Sequence, residues 1–485
     1  MDNSNRDRTE RDGDAYPRPV RTDERFTGLV AATAMGVYLL IIVGATTAIT
    51  DAAAACSTWP ACNGQWLVDV RNPDLAVAWG HRVAALVVAG LVLATGIFAW
   101  LGDPPRRVRA ALTAATLGYP IQVGLGAIAA VSGPTAALSG VHLLLGTGLF
   151  ACLTLAVAWL LEVQTATPAD REPVGVVEEA DATEVAPENP TLPDAPLARA
   201  KTYAGAYVSL MKPRLMWLLC LVAAAGMALA AGPGLTVRTV VLTLLGGVLA
   251  IGASGTFNHV LERDVDRRMN RTSDRPIATD IVSVRNAVAF GISLTALSLV
   301  AFLQLNLLAA ALGLSAILFY SVIYTVVLKP NTVQNTVIGG AAGALPAVIG
   351  WAAVTGSVGV PGLALAGVIF LWTPAHFYNL ALAYKDDYAR GGFPMMPVVR
   401  GEAKTRKHVV YYLAATLVSA TVLSAVSELG LLYALTSVAL GGVFLWAVIR
   451  LHRERTETAA LRAFHASNAY LGALLLAVVV DSIAV

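Results

Sequence analysis

The chain has 485 residues, of which 56% are hydrophobic and only 14% are charged; its net charge is +2 and its mean hydropathy is +0.65. This composition excludes an ordinary soluble domain, in which about a quarter of the residues are charged. The small net charge gives no basis for binding nucleic acid. The sequence therefore predicts an all-α, polytopic protein of the cell membrane, with the lipid bilayer as its surroundings.

Apolar stretches long enough to cross a hydrocarbon core of about 30 Å as helices recur along almost the whole chain. Four are predicted first, near residues 27–49, 75–100, 108–131 and 136–161. Nine more follow, near residues 214–232, 238–258, 284–303, 306–326, 334–354, 361–383, 408–427, 430–450 and 466–484. We thus predict about 13 transmembrane helices in groups of four and nine.

Composition divides the chain into four parts. Residues 1–26 mix Arg and Asp without the apolar core of a cleavable signal peptide, which predicts a cytoplasmic tail. Residues 27–163 form the predicted four-helix domain, and residues 205–485 form the nine-helix domain. Residues 164–204, rich in Glu, Asp, Pro, Ala and Thr, have little to bury and are predicted to be a disordered linker.

Basic residues fall in alternate loops, which predicts the orientation because positively charged loops stay in the cytoplasm. With the N-terminus inside, the same side of the membrane receives Arg106, Arg107, Arg109, the linker, residues 259–283, Lys329, residues 384–407 and residues 450–463. The loops on the other side are short and nearly free of Lys and Arg.

The loop near residue 260 carries the strongest chemical signal. Asn258, Glu262 and Asp266 are spaced four apart, so they lie on one face if the helix continues. Three oxygen ligands on one face are typical of Mg²⁺ bound together with substrate phosphates. Five neighbouring arginines provide charge to neutralise a diphosphate: Arg263, Arg267, Arg268, Arg271 and Arg275. The alternative is a solvated loop in which acids and bases simply pair.

A second acidic cluster, Asp386 and Asp387, lies in a loop on the same side. Two acidic clusters on one side favour a metal clamp, since a carboxylate near hydrocarbon requires a cation. The helix before this loop carries Trp372 and His376. A histidine in that position is more often a packing or hydrogen-bonding residue than a catalytic one.

Residues 205–484 resemble the UbiA-type intramembrane prenyltransferases, in the branch that makes haem O. The resemblance rests on these stretches in order: Met211-Lys-Pro-Arg214, residues 258–276, Tyr324-Thr325 through Lys329 to Asn335, Gly339-Gly-Ala-Ala-Gly-Ala-Leu-Pro346, Gly350-Trp351, Trp372-Thr-Pro-Ala-His-Phe377, Asp387-Tyr388 and Pro394-Met-Met-Pro397. One departure is Glu262, where the family usually has Asp; the charge is kept on a longer side chain.

The resemblance implies transfer of a farnesyl group from farnesyl diphosphate to a vinyl group of haem B. It implies catalytic residues that also hold Mg²⁺, namely Asn258, Glu262, Asp266, Asp387 and, beside them, Asp386. It implies diphosphate binding by Lys212, Arg214, Arg271, Arg275 and Lys329, and a substrate pocket that includes Tyr324, Trp372 and His376. Two alternatives are a prenyltransferase acting on a quinone precursor or lipid, and a haem carrier without enzymatic activity.

The four-helix domain carries Cys56 and Cys62 in a loop predicted to lie outside the membrane, where a disulfide is permitted. Two free thiols or a redox-active pair are the alternatives. Cys152 and Cys220 lie within spans and are interpreted as packing residues.

His81 and His142 lie at equal predicted depth, about 9 Å below the outer surface at a rise of about 1.5 Å per residue. Equal depth on two helices favours axial ligation of one haem; the alternative is two histidines hydrogen-bonded inside the bundle. This domain resembles haem A synthases through Cys56-x-x-Trp-Pro-x-Cys62, Trp79-Gly-His-Arg82 and Gln122-Val-x-Leu-Gly126. The resemblance implies that this domain binds haem and oxidises haem O towards haem A. The acidic residue expected three positions before the first histidine is Ala78 here, so the alternative is a domain that only binds haem and hands it over. Predicted partners of the whole chain are terminal-oxidase assembly proteins or a second copy.

Overall fold

The computed structural model describes residues 24–49, 55–176 and 192–484. Within these ranges the regular elements are helices, and thirteen of them are long and apolar enough to cross a membrane. This confirms the prediction of an all-α membrane protein with four spans followed by nine. Helices are expected because lipid offers no hydrogen-bond partners to backbone groups. Most of the predicted N-terminal tail lies outside the described residues.

The first four spans form a closed bundle. They are α1 (Glu24–Ile49), α2 (Pro73–Leu101), α3 (Arg106–Ser132) and α4 (Ala136–Thr165). Each helix packs against its neighbours in sequence, and α4 returns to pack against α1. Helices α2 and α4 therefore occupy opposite corners of the bundle.

The remainder of the chain contains nine long spans separated by short helices at the membrane surfaces. The long and short helices of this part are, in chain order, α5 (Pro168–Arg171), α6 (Pro196–Leu210), α7 (Pro213–Ala231), α8 (Val237–Leu261), α9 (Arg263–Asp266), α10 (Val284–Leu303), α11 (Leu307–Leu318), α12 (Lys329–Asn331), α13 (Asn335–Thr355), α14 (Val360–Ala383), α15 (Lys385–Arg390), α16 (Met396–Arg400), α17 (Glu402–Ala425), α18 (Leu431–Glu454) and α19 (Glu457–Ala484). A π-helical segment, Phe319–Leu328, joins α11 to α12, so that residues 307–331 make one span.

The prediction of a disordered linker is wrong at both ends. Residues 168–171 form α5, capped by the side chain of Thr167, and residues 196–210 form α6. Asp170 forms an ion pair with Arg406, 236 positions away, at 2.9 Å. Order at this end depends on that distant partner, which local composition does not report. The centre of the predicted linker, residues 177–191, lies outside the described residues.

The two groups of spans share one hydrophobic core. Helices α1 and α4 pack against α17 and α18, and the buried residues of both groups form a continuous cluster. Buried hydroxyls bridge the boundary: Tyr38 bonds Ser437 at 2.6 Å, and Thr46 bonds Ser424 at 3.0 Å. Such polar contacts between helices are a main source of specificity where lipid removes the hydrophobic driving force. The N-terminal bundle is thus docked rigidly onto the last spans.

Helices α7 and α13 approach each other through paired glycines. A Cβ atom on Gly350 would overlap the backbone carbonyl of Ala223, and one on Gly226 would overlap that of Ala347. Neither neighbour is a flexible side chain, so backbones would have to separate. Small residues allow this close approach between membrane helices.

We expect Gly350→Ala to destabilise the protein by about 1 to 3 kcal/mol, because overpacking forces α7 and α13 apart. The measurement is the apparent melting temperature in detergent. Gly343→Ala on the same helix is the matched control, since its Cβ would meet only side-chain atoms at 3.7 Å or more. Equal melting temperatures for the two variants would contradict this view of the helix contact.

Candidate active site

An elongated cavity of about 850 Å³ lies among α7, α8, α13, α14 and the π-helical segment. Its lining residues on α8 recur at helical spacing from Thr243 through Gly247, Ala250 and Ser254 to Glu262, so one face of α8 forms a wall along most of its length. Charged and amide side chains gather where α8 ends and α7 begins. The opposite end is lined by apolar residues. The cavity therefore joins a polar end to a long apolar channel.

Asn258, Glu262 and Asp266 stand together at the polar end. Helix α8 ends at Leu261, but the backbone N–H of Glu262 still bonds the carbonyl of Asn258 at 2.9 Å, and that of Asp266 bonds Glu262 at 2.7 Å. Helical spacing thus persists across the break before α9. All three residues are at most 5% exposed. Asn258 and Glu262 line the cavity, whereas Asp266 is connected to the cavity through Arg275, which lines it.

Basic side chains pair with these three oxygen donors. Lys212 donates to Asn258, and Lys329 forms an ion pair with Glu262. Nη1 of Arg275 lies 2.8 Å from both carboxylate oxygens of Asp266 and 3.7 Å from Glu262. One guanidinium therefore bridges the two carboxylates.

The two carboxylates differ in their proton affinity. Burial alone would raise the pKa of Glu262, but the attraction of Lys329 and Lys212 outweighs it and holds that pKa below its usual value. Burial raises the pKa of Asp266, the charge on Glu262 adds to the rise, and Arg275 only partly opposes it. Burial and the nearby Arg275 lower the pKa of Lys212 to about 7. This end of the cavity thus concentrates charges of both signs away from water.

Lys212 owes its position to an unusual backbone conformation. Its φ of 58° lies in the left-handed region, which a residue other than glycine adopts at a cost of about 1 kcal/mol or more. The turn also packs close to α8, because a Cβ on Gly255 would lie 2.8 Å from the carbonyl of Leu210 and 3.3 Å from the Lys212 side chain. This strained turn directs the Lys212 side chain into the cavity.

All five basic residues predicted to bind diphosphate line this cavity: Lys212, Arg214, Arg271, Arg275 and Lys329. The guanidinium of Arg271 lies over the rings of Tyr384 and Tyr388, at 5.2 and 5.7 Å from their centroids. Arg214 is solvent-exposed at the rim. Residues from three separate parts of the chain thus supply cations to one polar end.

The second acidic cluster does not line the cavity. Asp387 is buried, accepts hydrogen bonds from the backbone N–H groups of Asn270 at 3.3 Å and Arg271 at 3.1 Å, and pairs with Arg390. Asp387 thus connects the loop that follows α9 with the segment that follows α14. Asp386 is exposed, so the structure does not support its predicted place in a metal clamp. Within the described ranges, no group of three His, Cys, Asp or Glu side chains is arranged around a common metal position.

Of the three residues predicted for the substrate pocket, the structure places only Tyr324 in the cavity wall. His376 stacks between Trp372 and Phe464, each with ring centroids 4.3 Å apart, and bonds the Ser467 hydroxyl at 2.7 Å. Trp372 donates to the Ser467 carbonyl. Both side chains join α14 to α19 and do not line this cavity, so their place in a substrate pocket stays a prediction. The face of α14 toward the cavity instead carries Thr373, Phe377 and Leu380.

Sequence reasoning did not single out Tyr320 and His259, which line the cavity, or the hydrogen bond that Thr325 makes beside it. Tyr320 accepts a hydrogen bond from Lys212 at 3.3 Å, and the hydroxyl of Thr325 accepts one from Asn258 at 3.1 Å. Both lie in the π-helical segment, whose wider turn changes which residues face inward; such segments are frequent at functional sites. His259 also lines the cavity, with a buried Nδ1 that has no hydrogen-bond partner in the described part of the chain. The four-residue spacing of Tyr320 and Tyr324 was the one available signal.

The N-terminal bundle carries a separate group of residues. Cys56 and Cys62 form a disulfide, with Cα atoms 4.9 Å apart. Arg82 donates to the carbonyls of Thr58 at 2.7 Å and Cys56 at 2.9 Å, which holds this loop over the end of α2. Cys152 and Cys220 have no disulfide partner among the residues described.

His81 lies on α2 and His142 on α4, the two helices at opposite corners of the bundle. The Nδ1 atom of each ring is buried, with no hydrogen-bond partner in residues 24–49, 55–176 and 192–484. A Cβ on Gly44 would lie 3.4 Å from the His81 ring, and one on Gly126 would lie 3.2 Å from the His142 ring. The two rings are therefore not held through hydrogen bonds at Nδ1 in the described part of the chain.

These features define the chain as a multi-pass membrane enzyme whose cavity combines buried oxygen donors, clustered cations and an apolar channel. Residues 218–472 match the model of the UbiA prenyltransferase family, and residues 6–170 match that of a cytochrome oxidase assembly protein. The chain belongs to the UbiA prenyltransferase family.

Full-length relatives carry the same arrangement. A protein of Haloarcula marismortui named Protoheme IX farnesyltransferase is 63% identical and covers 95% of this chain and 98% of its own length. One of Halobacterium salinarum with the same name is 60% identical over 96% of this chain and 99% of its own. A solved structure described as digeranylgeranylglyceryl phosphate synthase covers 59% of this chain and all of its own, at 16% identity and a TM-score of 0.49.

Proposed function

We propose that the chain makes haem O by transferring a farnesyl group from farnesyl diphosphate to a vinyl group of haem B. The observation that carries this proposal is the cavity itself, in which five cationic side chains meet one end of a long apolar channel. A prenyl diphosphate has this same polarity along its length. The names of the relatives at 60% identity and above support the choice of acceptor.

Mg²⁺ fits the donor set at the polar end. Asn258, Glu262 and Asp266 offer amide and carboxylate oxygens, which this hard cation prefers, and buried carboxylates need a cation close by. The ammonium groups of Lys212 and Lys329, now paired with these oxygens, are on flexible side chains that are free to turn toward a diphosphate. When bound, Mg²⁺ would supply positive charge to the leaving diphosphate. In this proposal Asp386 is not a metal ligand. Asp387 holds the loop that contains Asn270 and Arg271 in place.

The chain's own residues bind and orient the donor substrate. Lys212, Lys329, Arg271 and Arg275 neutralise the oxygens of the diphosphate while the prenyl chain enters the apolar channel. The bond from the prenyl C1 to oxygen breaks, and C1 joins the terminal carbon of the vinyl group. Water then adds to the inner vinyl carbon and releases a proton, which gives the hydroxyethylfarnesyl side chain.

We propose further that His81 and His142 bind a haem in the N-terminal bundle. In this proposal residues 27–163 form a haem-binding domain, and residues 205–485 form the transferase domain. Docking of the domains through α1 and α4 would keep two haem sites within one chain. With Ala78 in place of an acid, oxidation toward haem A lacks a residue to support it. Oxidase assembly proteins and a second copy stay predictions as partners.

His81→Ala or His142→Ala should convert a six-coordinate haem spectrum into a five-coordinate one, because each removes one axial ligand. The measurement is the absorption spectrum of purified protein supplied with haem B. His465→Ala is the control, since that side chain is exposed on α19. Spectra unchanged by both bundle variants would exclude these ligands.

We also propose that the N-terminus and the polar end of the cavity face the cytoplasm. The support is the distribution of basic residues: residues 259–283 and 384–407, at the polar end of the cavity, carry 11 of the 20 Lys and Arg residues between positions 205 and 485.

The proposal is tested by offering purified protein labelled farnesyl diphosphate and Mg²⁺ with haem B, with an aromatic quinone precursor, or with no acceptor. Label in haem alone is the expected result. Label in the aromatic compound would replace haem by a quinone precursor as acceptor. A protein that binds haem but transfers no label to any acceptor would leave only a carrier role.

A further inference from the structure

We infer that Phe302 ends the apolar channel and limits the length of the prenyl group that the enzyme accepts. This inference rests on the proposed function, because it assigns the tail of that substrate to the channel. Phe302 is the lining residue that α10 contributes in the described part of the chain, and its side chain is fully buried. It lies at the apolar end with Ile349 of α13.

The ring of Phe302 is held between two glycines. A Cβ on Gly246 of α8 would lie 2.9 Å from one edge of the ring, and a Cβ on Gly313 of α11 would lie 2.6 Å from the other. Any larger residue at either position would collide with the ring. The ring therefore fills the space between α8 and α11 and has little freedom to turn away from a long tail.

Hydrogen bonds around Phe302 keep this end of the channel rigid. The Ser298 hydroxyl, one turn earlier on α10, donates to the carbonyl of Gly246 at 2.8 Å. The amide of Asn306, just after α10, donates to the carbonyl of Ala352 on α13 at 2.8 Å. Helices α8, α10 and α13 are thus fastened together where the channel ends, so the stop is a fixed part of the fold.

The depth of the channel agrees with a farnesyl group. Lining residues extend from Lys212 to Ala223 on α7 and from Asn258 to Thr243 on α8, which corresponds to roughly 16 to 22 Å at about 1.5 Å per residue. A diphosphate takes about 4 to 5 Å of this at the polar end, and an extended farnesyl chain takes about 14 Å, from bonds of about 1.5 Å. A further isoprene unit adds about 4 to 5 Å and would bring the tail against the Phe302 ring.

The test compares geranyl, farnesyl and geranylgeranyl diphosphates by the thermal stabilisation that each gives the full-length protein with Mg²⁺, a readout that needs no acceptor. Phe302→Leu and Phe302→Ala should raise the affinity for geranylgeranyl relative to farnesyl diphosphate by about 10-fold or more, since the added depth accommodates the extra unit. Phe444→Leu, at an equally buried phenylalanine of α18 away from the cavity, should leave the ratio unchanged.

A second variant is designed to shorten the channel instead of lengthening it. It tests the inference even if the Phe302 variants fail to fold. Ala316→Leu adds bulk to the wall near the same end and should weaken farnesyl binding while geranyl binding remains. If wild-type protein is stabilised by none of the three diphosphates, the proposed function fails. If it binds farnesyl diphosphate but the chain-length ratios of the Phe302 and Ala316 variants equal that of the wild type, the assignment of Phe302 is overturned and the proposed function stands.

Discussion

Asp266→Asn should lower the rate of prenyl transfer by at least about 100-fold while the protein stays folded. Asp266 is 2% exposed and follows Asn258 and Glu262 along one side of the cavity's polar end. Asparagine keeps the size of the side chain but removes its charge, so the cation that assists departure of the diphosphate loses a ligand. The measurement is kcat with farnesyl diphosphate, haem B and Mg²⁺ at saturation.

Asp264→Asn is the matched control for this experiment. Asp264 lies two residues away in the same short helix, but its side chain is exposed and pairs only with the neighbouring Arg263 at 2.9 Å. It should retain the wild-type rate. If both variants lose activity equally, or if neither does, the proposed role of Asp266 as a ligand of the catalytic cation is contradicted.

Asp170→Ala should destabilise the protein by about 2 to 3 kcal/mol, below the usual cost of leaving a buried charge unpaired, because Glu402 stays near Arg406. The Arg406 side chain is 1% exposed; besides Asp170 it has Glu402 at 3.6 Å, and Glu402 also pairs with Lys385. The N-terminal section is thereby connected to the loop that carries Asp387. The apparent melting temperature in detergent reports the loss.

The pH dependence of this pair has a definite sign. Burial alone would raise the pKa of Asp170, but Arg406 outweighs it and lowers that pKa below the usual value. The stabilisation is therefore present at neutral pH and is lost as pH falls through the lowered pKa. Arg450→Ala, which breaks an exposed pair with Glu454, should change the melting temperature little, because water and salt screen exposed pairs. Similar losses for Asp170→Ala and Arg450→Ala would show that burial of Arg406 contributes nothing.

The number and order of the spans could be predicted because each depends on a local run of apolar residues. Helix ends were less accessible: α19 begins at Glu457, about nine residues before its predicted start, because its first turns are polar yet still helical. Helix α5 was missed because the partner of Asp170 is 236 positions away.

The polar end of the candidate site could be predicted from the spacing of its oxygen donors and from the side of the membrane to which the basic loops were assigned. Asn258, Glu262 and Asp266 occur four apart, and the alternation of loops placed the basic residues with them. Contacts between helices were not predictable. The stacking of His376 with Phe464 and the position of Phe302 between two glycines depend on how helices are rotated and packed against each other, which a single sequence does not reveal.

The most direct test of the account is the haem content of membranes from a host that expresses this chain and lacks haem O synthesis of its own. Extracted haems are identified by mass. Wild-type protein should yield haem B enlarged by one farnesyl group and one water, and Asp266→Asn should not. Recovery of haem B alone from membranes that contain folded wild-type protein and supply farnesyl diphosphate would contradict the account.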